Sequence, residues 1–199
     1  MVVNEKLCRV TLCYEDQLGA VTGFGPHRLV VSHVADREIA ERIEVERALR
    51  DFRPMKGNTK LLRACREDAA DITRGGQPLV AVFDDDEVRT LVQLPRSAPD
   101  EQVIARIRQG CTAPERVYPV LLRDNTETVL RDILRCDRTI PVALGQQALK
   151  KNLNARDLVF RAAAREPNRH VRECILRSNP SLDSIITVLC LLLRGEAPP

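Results

Sequence analysis

Three groups of acidic residues follow stretches of the sequence that are typical of β-strands. The groups are Glu15 and Asp16, then Asp84, Asp85 and Asp86, and finally Asp124 and Glu127. The middle group is the most unusual, because it ends the wholly apolar run "PLVAVF" at 78–83. Like charges so close together repel one another, so a folded protein must offset their repulsion.

A bound cation would offset it. The carboxyl ends of parallel strands meet at one edge of a sheet, where ligands bind. Mg²⁺ in proteins is usually bound by one or two carboxylates and keeps several of its water ligands. Strand-like alternation puts Asp84 and Asp86 on one side and Asp85 on the other. The sequence therefore predicts a Mg²⁺ site at this edge in which Asp84 and Asp86 lean to one side, with Glu15 and Glu127 as further acids at the same edge.

Each of these acids also has an ordinary structural explanation. The run "DDDE" can form a solvated turn that caps the next helix. Glu127 can complement a helix dipole, and Glu15 can be a loop acid. Their joint placement after three predicted strands is what favours a functional site.

The elements that would position these acids alternate between strands and helices. The predicted strands are 7–14, 28–35, 78–83 and 115–123, and the predicted helices are 36–52, 59–72, 100–109 and 125–135. Ile43 is expected on the buried side of the first helix. From 146 to 194 the sequence predicts helices interrupted at Pro167 and at 178–181, with Pro180 and Ser181 opening the last one.

This order predicts an α/β fold with a mainly parallel sheet flanked by helices. We expect an α/β domain over 1–140 and a helical C-terminal extension over 141–199 that packs on it. The chain has 199 residues, of which 44% are apolar and 30% charged, and this composition excludes disorder as the dominant state.

Cysteines and apolar runs indicate the compartment. The seven cysteines include no C-x-x-C pair, so neither a disulfide framework nor a zinc ribbon is predicted, and free thiols in a reducing cytosol fit best. The N-terminus lacks the order of a signal peptide, and the longest apolar run, "IITVLCLLL" at 185–193, is far shorter than a membrane span of roughly 20 residues. We expect a cytoplasmic protein with no membrane partner.

Basic residues suggest a nucleic acid partner. The net charge is only +3, but 147–177 holds eight basic residues against three acidic ones. Such a surplus could face phosphates, although solvated Arg-rich helices are common. Lys56 and Lys60 flank a glycine before a helix, where they could hold a phosphate or simply be solvated. The predicted nucleic-acid-binding residues are Lys56, Lys60, Arg165, Arg169 and Arg172.

Four segments together resemble a known family. They are "LCYED" at 12–16, "VFDDD" at 82–86, "LLRDNTETVL" at 121–130 and the closing "SNPSLDSIITVLCLLL" at 178–193. These motifs resemble the Toprim domain of topoisomerases, primases and overcoming-lysogenization-defect nucleases. They are more closely similar to small bacterial Toprim-like proteins, which are often linked to phage defence.

The resemblance implies roles for individual residues. Glu15 would match the Toprim glutamate, a metal ligand or general acid/base in phosphodiester chemistry. Asp84 and Asp86 would match the D-x-D magnesium ligands, and Glu127 would match the glutamate of the "N-x-E" motif. Family members usually follow their glutamate directly with a helix, whereas here "QLGAVTGFGPHRLVV" interposes a loop and an extra strand, predicted at 28–35.

Two functions from different classes follow. The first is a Mg²⁺- or Mn²⁺-dependent nuclease that acts on nucleic acid phosphodiesters, in bacterial phage defence. The alternative is a catalytically silent Toprim-like subunit that binds or regulates within a multi-protein defence complex, beside a larger partner such as an ATPase or in a homo-oligomer. The apolar last helix would then be a docking surface. Phosphotransfer of receiver type is a weaker third option, because the expected Thr/Ser and Lys arrangement is missing.

Overall fold

Four parallel β-strands form a sheet at the centre of the protein. In the computed structural model the described residues are 7–15, 25–38, 40–67, 69–72, 76–123, 125–139 and 152–198. The strands are β1 (Thr11–Tyr14), β2 (Phe52–Pro54), β3 (Leu79–Asp84) and β4 (Val117–Leu122). They pair in the order β2-β1-β3-β4, and every pair is parallel. The prediction of a parallel sheet flanked by helices is confirmed.

Helices cover both faces of this sheet. They are α1 (Gly25–Glu38), α2 (Arg42–Ala48), α3 (Asn58–Glu67), α4 (Ala69–Ile72), α5 (Asp85–Leu91), α6 (Asp100–Gln109), α7 (Asn125–Cys136), α8 (Leu153–Ala163), α9 (Arg169–Ser178) and α10 (Pro180–Leu193). Helices α3, α5 and α6 pack on one face, while α1, α7, α8, α9 and α10 share a core with the other. A 3₁₀ turn, Glu166–Asn168, separates α8 from α9.

The central strand β3 is apolar throughout because both of its faces are covered. Val80 and Val82 belong to the core beneath α1 and α10, whereas Leu79, Ala81 and Phe83 belong to the core beneath α3 and α6. This arrangement is what a parallel sheet buried on both sides requires. It also explains why the run continues without a polar residue until Asp84.

The strand predicted at 28–35 is wrong, because these residues lie in the helix α1. The segment is rich in valine, and α1 is buried by the sheet core on one side and by α2, α8 and α10 on others. A helix that is buried nearly all round lacks the polar stripe that distinguishes it from a buried strand. Gly25 opens α1 where a Cβ atom would lie 2.7 Å from Asp157 Oδ1 and 2.8 Å from Phe160 Cβ, so α8 passes very close.

The single helix predicted over 36–52 is also wrong. Helix α1 continues through Asp36 to Glu38, α2 follows as a separate helix, and Phe52–Pro54 forms the edge strand β2. Ile43, expected on the buried side, is 56% exposed. A strand of three residues that contains a proline gives no alternation by which it could have been predicted.

The C-terminal helices complete one of the two cores. Residues of α8, α9 and α10 lie in the same hydrophobic cluster as α1 and β4. The buried residues of α10 include Leu182, Ile185 and Leu189, so the expectation that this helix is an exposed docking surface is wrong. The predicted boundary at 140/141 lies outside the described residues.

The described helices are short relative to the thickness of a bilayer. None of them is by itself long and apolar enough to cross a bilayer. One bent pair, Glu166–Ser178 with Pro180–Leu193, meets the test of length and composition only.

Two cysteines depart from the expectation of free thiols. Cys136, at the end of α7, forms a disulfide with Cys174 in α9. Cys13, Cys65 and Cys190 are free and buried in the described structure. The bond ties together two helices that also contact each other along their length.

Candidate functional site

Glu15 and Asp84 come together at the carboxyl edge of the sheet. Their strands are neighbours, with Tyr14 opposite Val82, and the Glu15 N–H donates to Val82 O at 3.0 Å. Both acids line the same cavity of ≈ 50 Å³. The parallel register therefore brings together two carboxylates that are 69 positions apart in the chain.

The rest of this cavity is apolar. Its walls come from three strand ends and from helices on one face of the sheet, and they include Leu29, Val30, Leu122, Phe160, Leu182 and Ile185. Such walls keep water away from one side of the two acids, and charges interact more strongly where water is excluded. The cavity is large enough to hold a few water molecules.

The main chain of Asp84 is held by the buried side chain of Asn58. Asn58 Nδ2 donates to Asp84 O at 3.0 Å, and the Asp84 N–H donates to Asn58 Oδ1 at 3.3 Å. Asn58 is 1% exposed and begins α3. One amide side chain thus fixes the point at which β3 ends and the acidic run begins.

The turn before α3 lies beside Glu15. Lys56 and Gly57 both have positive φ angles, 56° and 115°. A Cβ atom on Gly57 would lie 4.0 Å from Glu15 Oε1. The backbone at Gly57 therefore adopts a conformation that glycine favours, next to one of the candidate carboxylates.

The acidic run does not continue β3 beyond Asp84. Asp85 and Asp86 are the first residues of α5, so the strand alternation predicted for Asp84 and Asp86 does not apply. Asp85 is engaged elsewhere, because Arg89 Nε donates to Asp85 Oδ1 at 2.9 Å while Arg89 Nη2 donates to Asp100 Oδ1 at 2.5 Å. Arg89 thus connects the starts of α5 and α6. The side chain of Asp86 lies outside the described part of the structure.

Glu127 lies in the first turn of α7, just after β4. Since β4 pairs with β3 in parallel, Glu127 is at the same edge of the sheet as Asp84. Val129 lines the cavity next to Glu15 and Asp84, whereas Glu127 does not. Asp16 and Asp124, which also follow predicted strands, lie outside the described residues.

Among the described side chains, no three His, Cys, Asp or Glu residues are close enough together to hold a metal ion. Two acids, Glu15 and Asp84, share the cavity. Two carboxylates are sufficient for Mg²⁺, which keeps most of its waters in protein sites. An all-oxygen donor set suits Mg²⁺ or Mn²⁺ better than a softer ion.

His27 has a structural environment. Its ring stacks on Phe52 with centroids 4.0 Å apart, and Nδ1 lies 3.1 Å from the Tyr14 hydroxyl. Burial lowers the pKa of His27 to about 4, while its hydrogen bond to the backbone of Leu49 opposes this shift. Neutral His27 therefore links the start of α1 to β1, one residue before Glu15.

The buried cysteines offer no nucleophile. Burial raises the pKa of Cys13 to about 12, and it also raises the pKa of Cys65. A thiol with such a pKa contains almost no thiolate at neutral pH. Covalent catalysis by these two residues is therefore not supported.

The predicted nucleic-acid contacts divide into exposed and buried residues. Lys56, Lys60, Arg165 and Arg169 are exposed. Arg172 is only 2% exposed, which contradicts its predicted role. The sequence around Arg172 does not indicate that this arginine is buried.

The guanidinium of Arg172 is occupied by the fold. Nε and Nη2 donate to the two carboxylate oxygens of Asp36 at 2.6 and 3.0 Å. Nη1 donates to Ala163 O at 3.1 Å and to Arg165 O at 2.6 Å, near the end of α8. Arg172 therefore joins α1, α8 and α9 and does not present a charge to phosphate.

Two residues that shape the site were not predicted. Asn58 holds the main chain of Asp84, and Arg89 pairs with Asp85. Neither residue was predicted as a metal ligand or a catalytic residue. Asparagine after glycine at a predicted helix start was a signal for Asn58, although it points to a cap and not to a partner 26 positions away. The four-residue spacing of Asp85 and Arg89 was a local signal for Arg89, but it applies only if the acidic run begins a helix.

No protein-family model matches this chain, and neither does any of the curated proteins or solved structures compared with it.

Proposed function

We propose that this protein is a metal-dependent nuclease of Toprim type that acts on nucleic acid phosphodiesters. The observation that carries the proposal is the meeting of Glu15 and Asp84 at the ends of adjacent parallel strands, in one cavity. Ligands of parallel α/β sheets bind at such an edge. Asp86 and Glu127, which begin the helices after β3 and β4, remain candidates for completing the site.

The donor set fits the proposed ion. Glu15 and Asp84 would hold Mg²⁺ or Mn²⁺, with waters in the remaining positions. When bound, the ion would supply Lewis acidity toward a phosphodiester. The protein contributes the fixed position of Asp84, through Asn58, and the apolar walls that exclude water from one side of the site.

Basic residues near this edge support a nucleic acid substrate. Lys56 precedes Gly57, whose backbone lies beside Glu15, and Lys60 is the third residue of α3. Both lysines are exposed and could neutralise backbone phosphates. Arg165 and Arg169 are exposed as well, but Arg165 lies with Arg172 and Asp36 near the end of α1, on the side away from Glu15, so these two arginines do not add to the support from the lysines.

The corrected secondary structure supports the Toprim resemblance. The family pattern is a strand that ends in glutamate, a helix, and a later strand that ends in D-x-D. The departure from that pattern was a loop and an extra strand after Glu15; α1 replaces the strand, and most of the loop lies outside the described residues. We therefore retain the proposal of a bacterial Toprim-like protein that works in phage defence.

A silent subunit is the alternative. It is favoured by the finding that the described side chains contain no group of three metal-binding residues. A Toprim-like domain that had lost catalysis could still bind nucleic acid or regulate a larger partner such as an ATPase.

The test is cleavage of plasmid DNA and of RNA with Mn²⁺, with Mg²⁺ and with EDTA. Asp84→Asn removes one negative charge with little change of shape, and Glu115→Gln makes the same change at an exposed position before β4. We expect metal-dependent cleavage that is lost in Asp84→Asn and kept in Glu115→Gln. Cleavage that persists in Asp84→Asn would exclude this site.

Thermal unfolding with and without Mn²⁺ separates the two functions. A ligand that binds only the folded state raises its stability. Stabilisation without cleavage by wild-type protein would favour the silent subunit, because the ion binds but no chemistry follows. If wild-type protein shows neither stabilisation by Mn²⁺ nor cleavage, a metal site at Glu15 and Asp84 is refuted.

A further inference from the structure

The outer edge of β4 carries unpaired backbone groups. β4 pairs with β3 on one side, and in the described part of the chain no strand pairs with the other side. In the parallel register the Leu79 N–H donates to Arg116 O at 2.8 Å. Hydrogen-bonding groups alternate along a strand, so those of Val117, Pro119 and Leu121 point away from β3.

This edge offers mainly acceptors. Pro119 has no N–H, which suits a position at the outer edge of a sheet. The Arg123 N–H is already occupied, because it donates to Ser181 Oγ at 3.2 Å. Val117 is fully buried, but the Leu121 N–H and the carbonyl oxygens of Pro119 and Leu121 line a groove along this edge and have no hydrogen-bond partner among the described residues, so a binding partner must itself donate backbone N–H groups.

A groove of ≈ 580 Å³ runs along this edge. Its floor is formed by the consecutive residues 118–121 of β4. Residues spaced by one helical turn form each wall: Asp100, Ile104 and Arg108 from α6, and Ser181, Ser184 and Val188 from α10. The groove is therefore a slot between two helices with the open strand edge at its base.

The shape of the slot selects a slender occupant. Four residues of β-strand span about 13 Å. Helices stand on both sides of the edge, so a second sheet with its own covering helices would collide with them. A single extended segment fits between the walls and can pair with the edge, as in recognition by β-strand addition.

The charges of the slot select an acidic occupant. Asp100 is already paired with Arg89 and Arg123; burial opposes its ionisation, but these hydrogen bonds hold its pKa below the ordinary value. Arg108 lies over the Tyr118 ring, 5.7 Å from its centroid, and donates to Pro114 O at 3.2 Å. Within the described residues no carboxylate pairs with Arg108, so its charge faces the slot without a counter-ion.

We propose that this slot binds an extended, acidic segment of a partner protein, which adds to the sheet as a strand beside β4. The segment's N–H groups would donate to the outward carbonyls of β4, and one of its carboxylates would pair with Arg108. The slot reaches the carboxyl end of β4 at Arg123 and Thr128, but it shares no lining residue with the cavity of Glu15 and Asp84, so this proposal does not depend on the nuclease assignment.

The probe is a displayed library of random dodecapeptides, selected on the wild-type protein and followed by titration of the enriched peptides as synthetic molecules. We expect them to contain Asp or Glu among β-branched residues. Arg108→Glu should weaken their binding at least tenfold. Arg106→Glu is the matched control, because Arg106 is exposed on α6, donates a hydrogen bond to Gln109 and does not line the slot.

Amide hydrogen exchange reports on the backbone pairing directly. The Leu121 amide should exchange at least tenfold more slowly when a selected peptide is bound. Absence of enriched peptides, or equal binding to wild type and Arg108→Glu, would overturn the proposal. Protection of Leu121 without peptide in a concentration-dependent dimer would also overturn it, because the occupant would then be a second copy of the chain.

Discussion

Substitution of Asn58 tests whether one buried amide holds the candidate site in place. Asn58→Ala removes both hydrogen bonds to the main chain of Asp84, at 3.0 and 3.3 Å. Each such bond contributes about 0.5–1.5 kcal/mol, and a buried donor left without a partner costs more. Alanine is favoured in helices over asparagine by up to ~0.7 kcal/mol. We therefore expect a net loss of about 2 kcal/mol in the free energy of unfolding.

Urea denaturation measures this loss as a shift of the midpoint at constant m value. Thr59→Ala is the control, since Thr59 is the exposed neighbour in the same helix turn and should change stability by less than about 0.5 kcal/mol. Mn²⁺-dependent stabilisation should also be smaller in Asn58→Ala, because the Asp84 backbone is no longer fixed. If both variants unfolded at the same urea concentration, the proposed role of Asn58 would be refuted.

Asn58→Asp separates the two hydrogen bonds. It keeps an oxygen that can accept from the Asp84 N–H, but it replaces the donor to Asp84 O with a second oxygen. Two acceptors then face each other in a buried place, so we expect this variant to be at least as unstable as Asn58→Ala. Wild-type stability in Asn58→Asp would show that the donor contact contributes nothing.

Three further predictions concern stability. Arg172→Met leaves the partly buried carboxylate of Asp36 without its cation and should lower the free energy of unfolding by about 3 kcal/mol, measured by urea denaturation. The control Arg169→Ala, at an exposed position, should lower it by less than about 0.5 kcal/mol. Because burial holds the pKa of His27 at about 4, below the ordinary 6.5, unfolded chains take up its proton first as the pH falls. The contribution of neutral His27 to the free energy of unfolding is full above about pH 6.5 and is lost at about 1.4 kcal/mol per pH unit between pH 6 and 4. The free energy of unfolding measured across this range should therefore depend less on pH in His27→Gln. Reduction of the Cys136–Cys174 bond, which joins residues 38 apart, should lower the free energy of unfolding by about 4 kcal/mol in guanidinium titrations with and without reductant.

The elements from α6 to α7 were predicted well from the sequence. Helix α6 was placed correctly at 100–109, β4 lies inside the predicted 115–123, and α7 begins at Asn125 as expected. Each of these elements has one buried side and one polar side, or a short apolar run bounded by breakers. Local pattern was sufficient there because the elements lie between the core and solvent.

The candidate site was only partly predictable. Acids after apolar runs could be listed, and the parallel register then explains why Glu15 and Asp84 meet. The same list could not show that Asp85 pairs with Arg89, or that α5 begins directly at the acidic run. Asp85 and Arg89 lie four positions apart, so their pairing follows only once α5 is known to begin at the acidic run, whereas the pairing of Arg89 with Asp100 depends on a contact between two helices.

The segment 28–35, which was wrongly predicted as a strand, also forms part of the cavity wall. Leu29 and Val30, which line it beside Glu15, belong to the stretch that was predicted as a strand. A helix between a sheet and other helices loses its polar stripe, so its periodicity no longer distinguishes helix from strand. Cavities at the edge of such a sheet are walled by buried helices of this kind. The wrong strand also bears on function, because it was one part of the departure from the proposed Toprim pattern.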